Sequence, residues 1–326
     1  MEFDLIDLIR GRCAVARADV RLGIGDDAAI LGVPVGHDLV ACTDTMVAGV
    51  HFPPQTRARD LGWKSLAVNL SDLAAMGATP AWALLALTLP EPDRAFVADF
   101  ADGFAELAAQ HHVALVGGDT SRGPLSVTVV AHGFLPPDRA LRRDCAQVGD
   151  FVFVTGSLGD AAAGLRCLNH RDPQAHALFN AAPDTREFLI ERLSRPTPRI
   201  AVGVALREFA SACIDVSDGL VADLGHIAAS SGVGIEIEAL QLPASSSLLA
   251  LFDADERLAL QAAGGDDYEL AFCVPAMHVA AMQRDLARLG GGATRIGRVV
   301  AGQGVRLVDA DGSEIALRRG GWEHFA

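Results

Sequence analysis

Apolar residues recur along this chain with two spacings. Phe96, Phe100, Phe104 and Leu107 follow at steps of four, four and three, predicting a helix over Asp93–His111 with one buried face. Asp4–Arg12 predicts a short helix. Asp60 predicts the cap of a longer one running to Gly77, with Pro80 as the stop signal beyond. Between these stand short β-prone runs at Ala28–Leu31, Leu39–Thr43, Trp82–Leu89, Val113–Val116 and Leu125–His132. The first two flank Gly32-Val33-Pro34-Val35-Gly36 and predict a hairpin. Pro136-Pro137 and an arginine-rich turn interrupt the pattern. It resumes with strands at Phe151–Thr155, Cys213–Val216, Ile235–Ile237, Leu270–Val274 and Arg295–Val300, and a helix over Ala276–Leu289. The break predicts a boundary near residues 136–148, with 1–140 and 141–326 as two α/β domains. The hairpins make the sheets mixed rather than purely parallel, an α+β variant of the α/β class.

Composition narrows the function. Of 326 residues half are hydrophobic and 21% charged, which supplies two ordinary cores and excludes general disorder. No uninterrupted apolar stretch is long enough for a membrane span. The acidic start Met1-Glu2-Phe3-Asp4 lacks the features of a signal peptide, so a cytoplasmic protein is expected. Forty-one acids against twenty-seven bases leave a net charge of −14, which repels nucleic acid and anionic membranes alike. Lys64 is the only lysine, and no Cys-x-x-Cys occurs, so neither a zinc site nor a disulfide framework is expected.

One local pattern repeats: a short apolar run closes on an aspartate flanked by glycine or a hydroxyl residue. It occurs at Ala41–Asp44, Leu115–Asp119 and Cys213–Asp218, and Asp26-Asp27 and Asp266-Asp267 follow glycines similarly. Gly23-Ile24-Gly25-Asp26-Asp27-Ala28 also fits a dinucleotide fingerprint. Pro34 and two glycines follow where the required helix would begin, and two carboxylates would face the pyrophosphate. A Walker A loop is excluded because Lys64 lacks its preceding glycine. On the long helix Ser65, Asn69 and Asp72 form one polar stripe at i, i+4 and i+7. Singly, each acid has an ordinary explanation: Asp72 at a solvent edge, Asp119 capping a turn, Ser217 or Asp218 capping a helix from Leu220. Jointly, Asp27, Asp44, Asp119, Asp215 and Asp218 at strand ends, with Asp72 on a buried stripe, would repel one another unless cations intervene. Hard oxygen donors favour Mg²⁺ shared with substrate phosphates.

Six segments carry a resemblance. They are Gly23–Asp27; Thr43-Asp44-Thr45 with Val47–Phe52; Asn69–Ala78; Gly117-Gly118-Asp119-Thr120; Ile214–Leu220; and Gly264–Leu270. In order and nearly end to end, the sequence resembles the thiamine-monophosphate kinase family. The resemblance implies the two-domain fold shared with aminoimidazole ribonucleotide synthetase. The N-terminal domain would carry the metal and ATP site and form a homodimer, and the C-terminal domain would complete the cleft. It also implies ATP-dependent phosphorylation of thiamine monophosphate to thiamine diphosphate with several Mg²⁺ ions. Asp27, Thr43, Asp44, Asp72, Asp119, Asp215 and Asp218 are then the metal positions. Gly118, Asp119, Arg143, Ser217 and His111 would lie by ATP, and His51, Asp266 and Trp322 would face the thiamine phosphate. Asp72, Asp119 and Arg143 would carry catalysis. The chain departs from the family pattern in Cys42 for serine, Val50 for asparagine, Asp266 for glutamate and His111 near a usual tyrosine. A thiol is a poor Mg²⁺ ligand, which keeps Cys42 out of the metal set. A sister enzyme, selenophosphate synthetase, would need a reactive cysteine beside a lysine near the N-terminus, and Cys13 has none.

Overall fold

The structure is a computed structural model describing residues 2–168, 180, 182–317 and 320–321. It divides into two compact units, residues 1–73 with 78–140, and residues 74–77 with 141–326. No described helix is long and apolar enough to cross a membrane.

The first unit runs α1 (Glu2–Arg12), β1 (Val20–Leu22), β2 (Ile30–Leu31), β3 (Asp38–Val47), α2 (Ala58–Ala75, its last turn passing into the second unit), β4 (Thr79–Leu89), α3 (Arg94–Gln110), β5 (Ala114–Arg122) and β6 (Ser126–Leu135). Its four-stranded sheet has the order β3-β6-β4-β5, with β4 and β5 parallel across the α3 crossover and the other pairs antiparallel. The expected hairpin from Ala28 to Thr43 does not form. Ile30-Leu31 pairs back onto Val20–Leu22, while β3 is ten residues long and pairs along its whole length with β6. A proline-centred turn cannot compete with a ten-residue ladder.

Asp93 caps α3, its carboxylate accepting from the Ala95 and Phe96 amides. Phe100, Phe104 and Leu107 are fully buried, as the periodicity requires. Helix α2 is buried almost all round, and it meets α3 through glycines: a methyl on Gly62 would lie 2.0 Å from the Phe100 oxygen, and one on Gly103 1.8 Å from the Arg59 oxygen. The polar stripe on α2 is largely self-satisfied. Ser65 donates to the Gly62 carbonyl and Asn69 to the Ser65 carbonyl, and the stripe's third member, Asp72, is half-buried. Asp60 lies inside the first turn rather than at the cap, and Pro80 sits at the start of β4, where the pairing with β6 is irregular.

The second unit contains β7 (Phe151–Thr155), α4 (Asp160–Leu168), α5 (Pro183–Ser194), α6 (Ile200–Leu206), β8 (Ala212–Asp215), α7 (Leu220–Ser231), β9 (Gly234–Glu238), α8 (Ser246–Leu251), α9 (Ala254–Ala263), β10 (Leu270–Val274), α10 (Val279–Arg288), β11 (Ala293–Val300) and β12 (Gly304–Val308). Its six-stranded sheet has the order β12-β9-β11-β7-β10-β8, antiparallel except for the β9–β12 pair. Both faces are covered. Val152, Val154, Ala271 and Cys273 enter one cluster with Leu224 and Ile227, while Phe153, Leu270, Phe272 and Val274 enter another with Met282 and Leu286. Two-sided burial explains why β7 and β10 read as uninterrupted apolar runs. The helix expected from Ala276 begins as a 3₁₀ turn after Pro275 and becomes α-helical at Val279.

Candidate active site

In the first unit Asp44 and Asp72 converge on Cys42. Cys42 and Asp44 lie two residues apart on the same face of β3, and Asp72 comes from α2. Burial pushes the Cys42 thiol up, and the negative charges of Asp72 and Asp44 push it further. At any ordinary pH it is a thiol, in contact with the Asn69 carbonyl oxygen at 3.3 Å. Thr43 projects from the opposite face, its hydroxyl donating to the Val129 carbonyl at 3.2 Å.

Asp44 and Asp119 are not at strand ends, as the local pattern suggested. Both lie within strands, because the polar residues beyond them continue to pair. Register places Asp44, Val129, Leu85 and Gly118 in one row across the sheet, with Asp119 one step along. Asp44 and Asp119 therefore stand on the two outer strands, roughly 14 Å apart at the usual strand spacing. Gly118 has φ +154°, and a methyl there would lie 1.8 Å from the Leu85 oxygen, so only glycine lets β5 lie this close to β4. A pocket beside it is walled by Ile6, Ile9, Ile24 and Leu115 and edged by Gly118 and Asp119. Asp27 is exposed, just after Gly25 with φ +128°.

His51 accepts the Val47 amide proton at Nδ1, which places the ring proton of the neutral form on Nε2. His111 is the C-cap residue of α3, and burial, then His112, pulls its pKa down, so its ring is neutral near pH 7.

In the second unit β8 ends on buried Asp215 and the chain turns through Ser217, Asp218 and Gly219 into α7. Neither Ser217 nor Asp218 caps the helix. Gly219 is the N-cap, and the carboxylate of Asp223 accepts from the amides of Ser217, Asp218 and Gly219 at 3.0, 3.1 and 3.1 Å. Burial first, then repulsion from Asp215 and Asp218, pushes Asp223 up to about 7 despite these donors.

The Gly264–Glu269 segment is pinned to that turn. The Asp266 amide donates to the Ser217 carbonyl, the Tyr268 amide to the Val216 carbonyl, and the Val216 amide to the Glu269 carbonyl, each at 2.8 Å. Asp266 and Tyr268 adopt left-handed backbone at φ +70° and +50°, and the Tyr268 hydroxyl donates to Asp266 at 3.3 Å. This alternation turns Asp267 and Glu269 inward. Glu269 receives Thr155 at 2.6 Å, Arg192 at 2.9 Å and both Nε and Nη2 of Arg199. Asp267 accepts the Gly159 and Ala161 amides at the start of α4. Arg143 is exposed, and its charge reaches Cys213 on β8. Trp322 lies outside the described residues.

Sequence reasoning missed Asp223, Asp267 and Glu269. Asp223 reads as an ordinary acid in a helix's first turn, and the other two share a motif with Asp266, from which only their inward direction separates them.

Burial pushes Asp267 up to about 8, overriding its two amide donors. The folded chain then keeps a proton that the unfolded chain gives up near its ordinary value of 3.8. More protons are bound folded than unfolded, so this group's stabilisation is lost as pH rises from about 4 to 8. Asp267→Asn is expected to flatten the fall in urea midpoint over that window. Parallel curves for the two proteins would show an ionised Asp267 in the fold.

Among the described residues no three His, Cys, Asp or Glu side chains are grouped tightly enough to hold a metal ion by themselves. The donors are hard oxygens in pairs, a set that suits Mg²⁺, which keeps waters and shares phosphate oxygens.

The two-unit fold and its paired carboxylates define a class. Residues 25–135 match the N-terminal domain of AIR synthase related proteins, and residues 147–310 match the C-terminal domain. Over its full length the chain is 46% identical to thiamine-monophosphate kinase of Escherichia coli (strain K12), covering 98% of it, and over 99% of its length it is 37% identical to that of Bacillus subtilis (strain 168), covering 99%. A crystal structure of thiamine-monophosphate kinase from Stenotrophomonas maltophilia K279a superposes with TM-score 0.87 at 51% identity, over 96% of this chain and 98% of that one. A ThiL structure complexed with AMPPCP and TMP superposes with TM-score 0.76 at 34% identity, over 99% and 97%. The chain belongs to the thiamine-monophosphate kinase family and is an enzyme.

Proposed function

We propose that this chain transfers the γ-phosphoryl group of ATP directly and in line to thiamine monophosphate, releasing ADP and thiamine diphosphate as the last step of thiamine diphosphate synthesis in the cytoplasm. The reading is carried by the end-to-end likeness to a relative complexed with AMPPCP and TMP, in a chain that keeps the carboxylates of both units. One P–O bond forms from a terminal oxygen of the acceptor phosphate, and the bond from the γ-phosphorus to the β-phosphate oxygen breaks. The acceptor's second pKa of about 6 leaves that oxygen largely ionised at neutral pH, so no general base is required. The difficulty is bringing two anions together, a matter of positioning and charge neutralisation.

Asp44 and Asp72, with Asp27 and Asp119, would hold Mg²⁺ in the first unit, where Thr43, its hydroxyl on the other face of β3, could offer only its backbone carbonyl, and Asp215 and Asp218 would do so in the second. Mg²⁺ held there would supply positive charge to offset that of the reacting phosphates. Gly118 and Asp119, at the edge of the pocket beside β5, would lie by ATP, with His111 beside the nucleotide. Arg143 can clamp a phosphate oxygen pair, and Ser217 donates a hydroxyl proton. His51, with its proton on Nε2, donates to the thiamine phosphate, and Asp266 and Trp322 take the remainder of that substrate. The protein works as a homodimer joined through its first units.

Purified protein with ATP, Mg²⁺ and thiamine monophosphate is expected to yield thiamine diphosphate by chromatography, to stop on adding EDTA, and to scatter light as a dimer. ATP consumed without thiamine diphosphate, or product undiminished by EDTA, would overturn this reading.

A further inference from the structure

The turn between β8 and α7 carries Asp215, Ser217 and Asp218, yet the side chain that shapes it is none of these. We propose that Asp223 is a positioning residue for phosphoryl transfer: one oxygen of its carboxylate gathers three consecutive amides and so fixes where Ser217 and Asp218 stand. The inference rests on the function proposed above.

The geometry is specific. Oδ2 of Asp223, a residue 2% exposed, accepts from the amides of Ser217, Asp218 and Gly219. Consecutive amides converging on one point make a concave anion site of the kind that elsewhere binds phosphate. Here the chain's own carboxylate fills it, so the turn meets its ligands through side chains rather than through these amides. Gly219, the helix N-cap, has φ +123° and offers no side chain of its own to do the work.

The turn also carries the other side of the reaction. Its Ser217 and Val216 carbonyls hold the amides of Asp266 and Tyr268. Releasing residues 217–219 would loosen the nucleotide-side Ser217 and the substrate-side Asp266 together. A residue that only capped α7 would change stability and leave both affinities alone.

Asp223→Ala and Asp223→Asn separate these roles. In the ligand-free protein, Asp223→Ala is expected to speed hydrogen exchange of the Ser217–Gly219 amides by about tenfold or more. It should raise KM for both ATP and thiamine monophosphate by a similar factor. Asparagine keeps an acceptor oxygen but no charge, so Asp223→Asn should restore protection and most of both affinities. Wild-type KM values in Asp223→Ala would overturn the proposal, as would an Asp223→Asn variant no better than alanine in exchange and KM. Native protein that forms no thiamine diphosphate would sink the function instead. Exchange, and calorimetric binding of ATP with Mg²⁺, still read the clamp without turnover.

Discussion

Asp72→Asn is expected to abolish most activity while leaving the protein as stable as before, or slightly more so. Asp72 sits in the last turn of α2, which carries no basic residue, and the unpaired carbonyls of a helix C-terminus disfavour a carboxylate there. It also faces Asp44 across Cys42, whose thiol registers both charges. Two features of its surroundings therefore oppose the charge, against the hydrogen bond it shares with the Cys42 thiol, which asparagine can also accept. Asparagine keeps the size and removes the charge, so a gain of about 0.3–1 kcal/mol is expected from the helix end alone. The loss in kcat should be about 10²–10³-fold, the scale on which a single preorganised electrostatic group contributes. Thermal unfolding and product formation, measured on one preparation, read the two signs separately. Activity within tenfold of the native chain would show that Asp72 holds no essential charge, and a large drop in stability would make it structural.

The largest effect on stability is expected from Glu269→Ala. Glu269 is 1% exposed and receives Thr155, Arg192 and Arg199, the two guanidiniums being themselves partly buried. Removing the carboxylate takes their shared anion from Arg192 and Arg199 and leaves Arg192 with the longer contact to Asp160 at 3.9 Å. Breaking a buried pair from one side costs about 3–5 kcal/mol. Against a total stability of about 5–15 kcal/mol, that brings the second unit close to unfolding at growth temperature. Glu269→Gln keeps two polar atoms for Thr155 and one arginine and should lose about half as much. Urea unfolding followed by circular dichroism measures both. A Glu269→Ala midpoint within error of the native protein would mean that the arginines find other partners.

What could be read from the sequence depended on how many faces of an element are buried. Strands β7 and β10 were legible to the residue because both their faces are covered, leaving apolar runs with nothing polar inside. Helix α3 was legible because its buried Phe100, Phe104 and Leu107 and its Asp93 cap agree. The outer strands β3 and β5 were not. Their polar residues, Thr43, Thr45, Asp119 and Ser121, are ordinary for strands with one face toward water, and they made both strands look shorter than they are. Asp44, Asp119, Asp215 and Asp218 were found because they recur in one local pattern, and Asp72 because it lies on a helical polar stripe, but their partition was not. Asp44 with Asp72, and Asp215 with Asp218 and Asp223, are meetings made by folding. Spacing cannot distinguish Asp266, held by backbone on the turn, from Asp267, which points into the core one residue later.

The path of α2 bears on how such a protein could be recombined. Its final turn and the following residues, 74–77, belong to the second unit, where Ala74 and Ala75 complete the cluster around Phe153 and Phe272. A methyl on Gly203 would lie 2.0 Å from the Ala74 oxygen, and the Leu141 amide donates to the Met76 carbonyl. A chimera that exchanges residues 1–140 with a relative therefore also exchanges part of the other unit's core. The gene has no seam at which two independent cassettes meet. Compatible swaps must match four residues in the middle of the donor's first half to a hydrophobic cluster encoded far downstream.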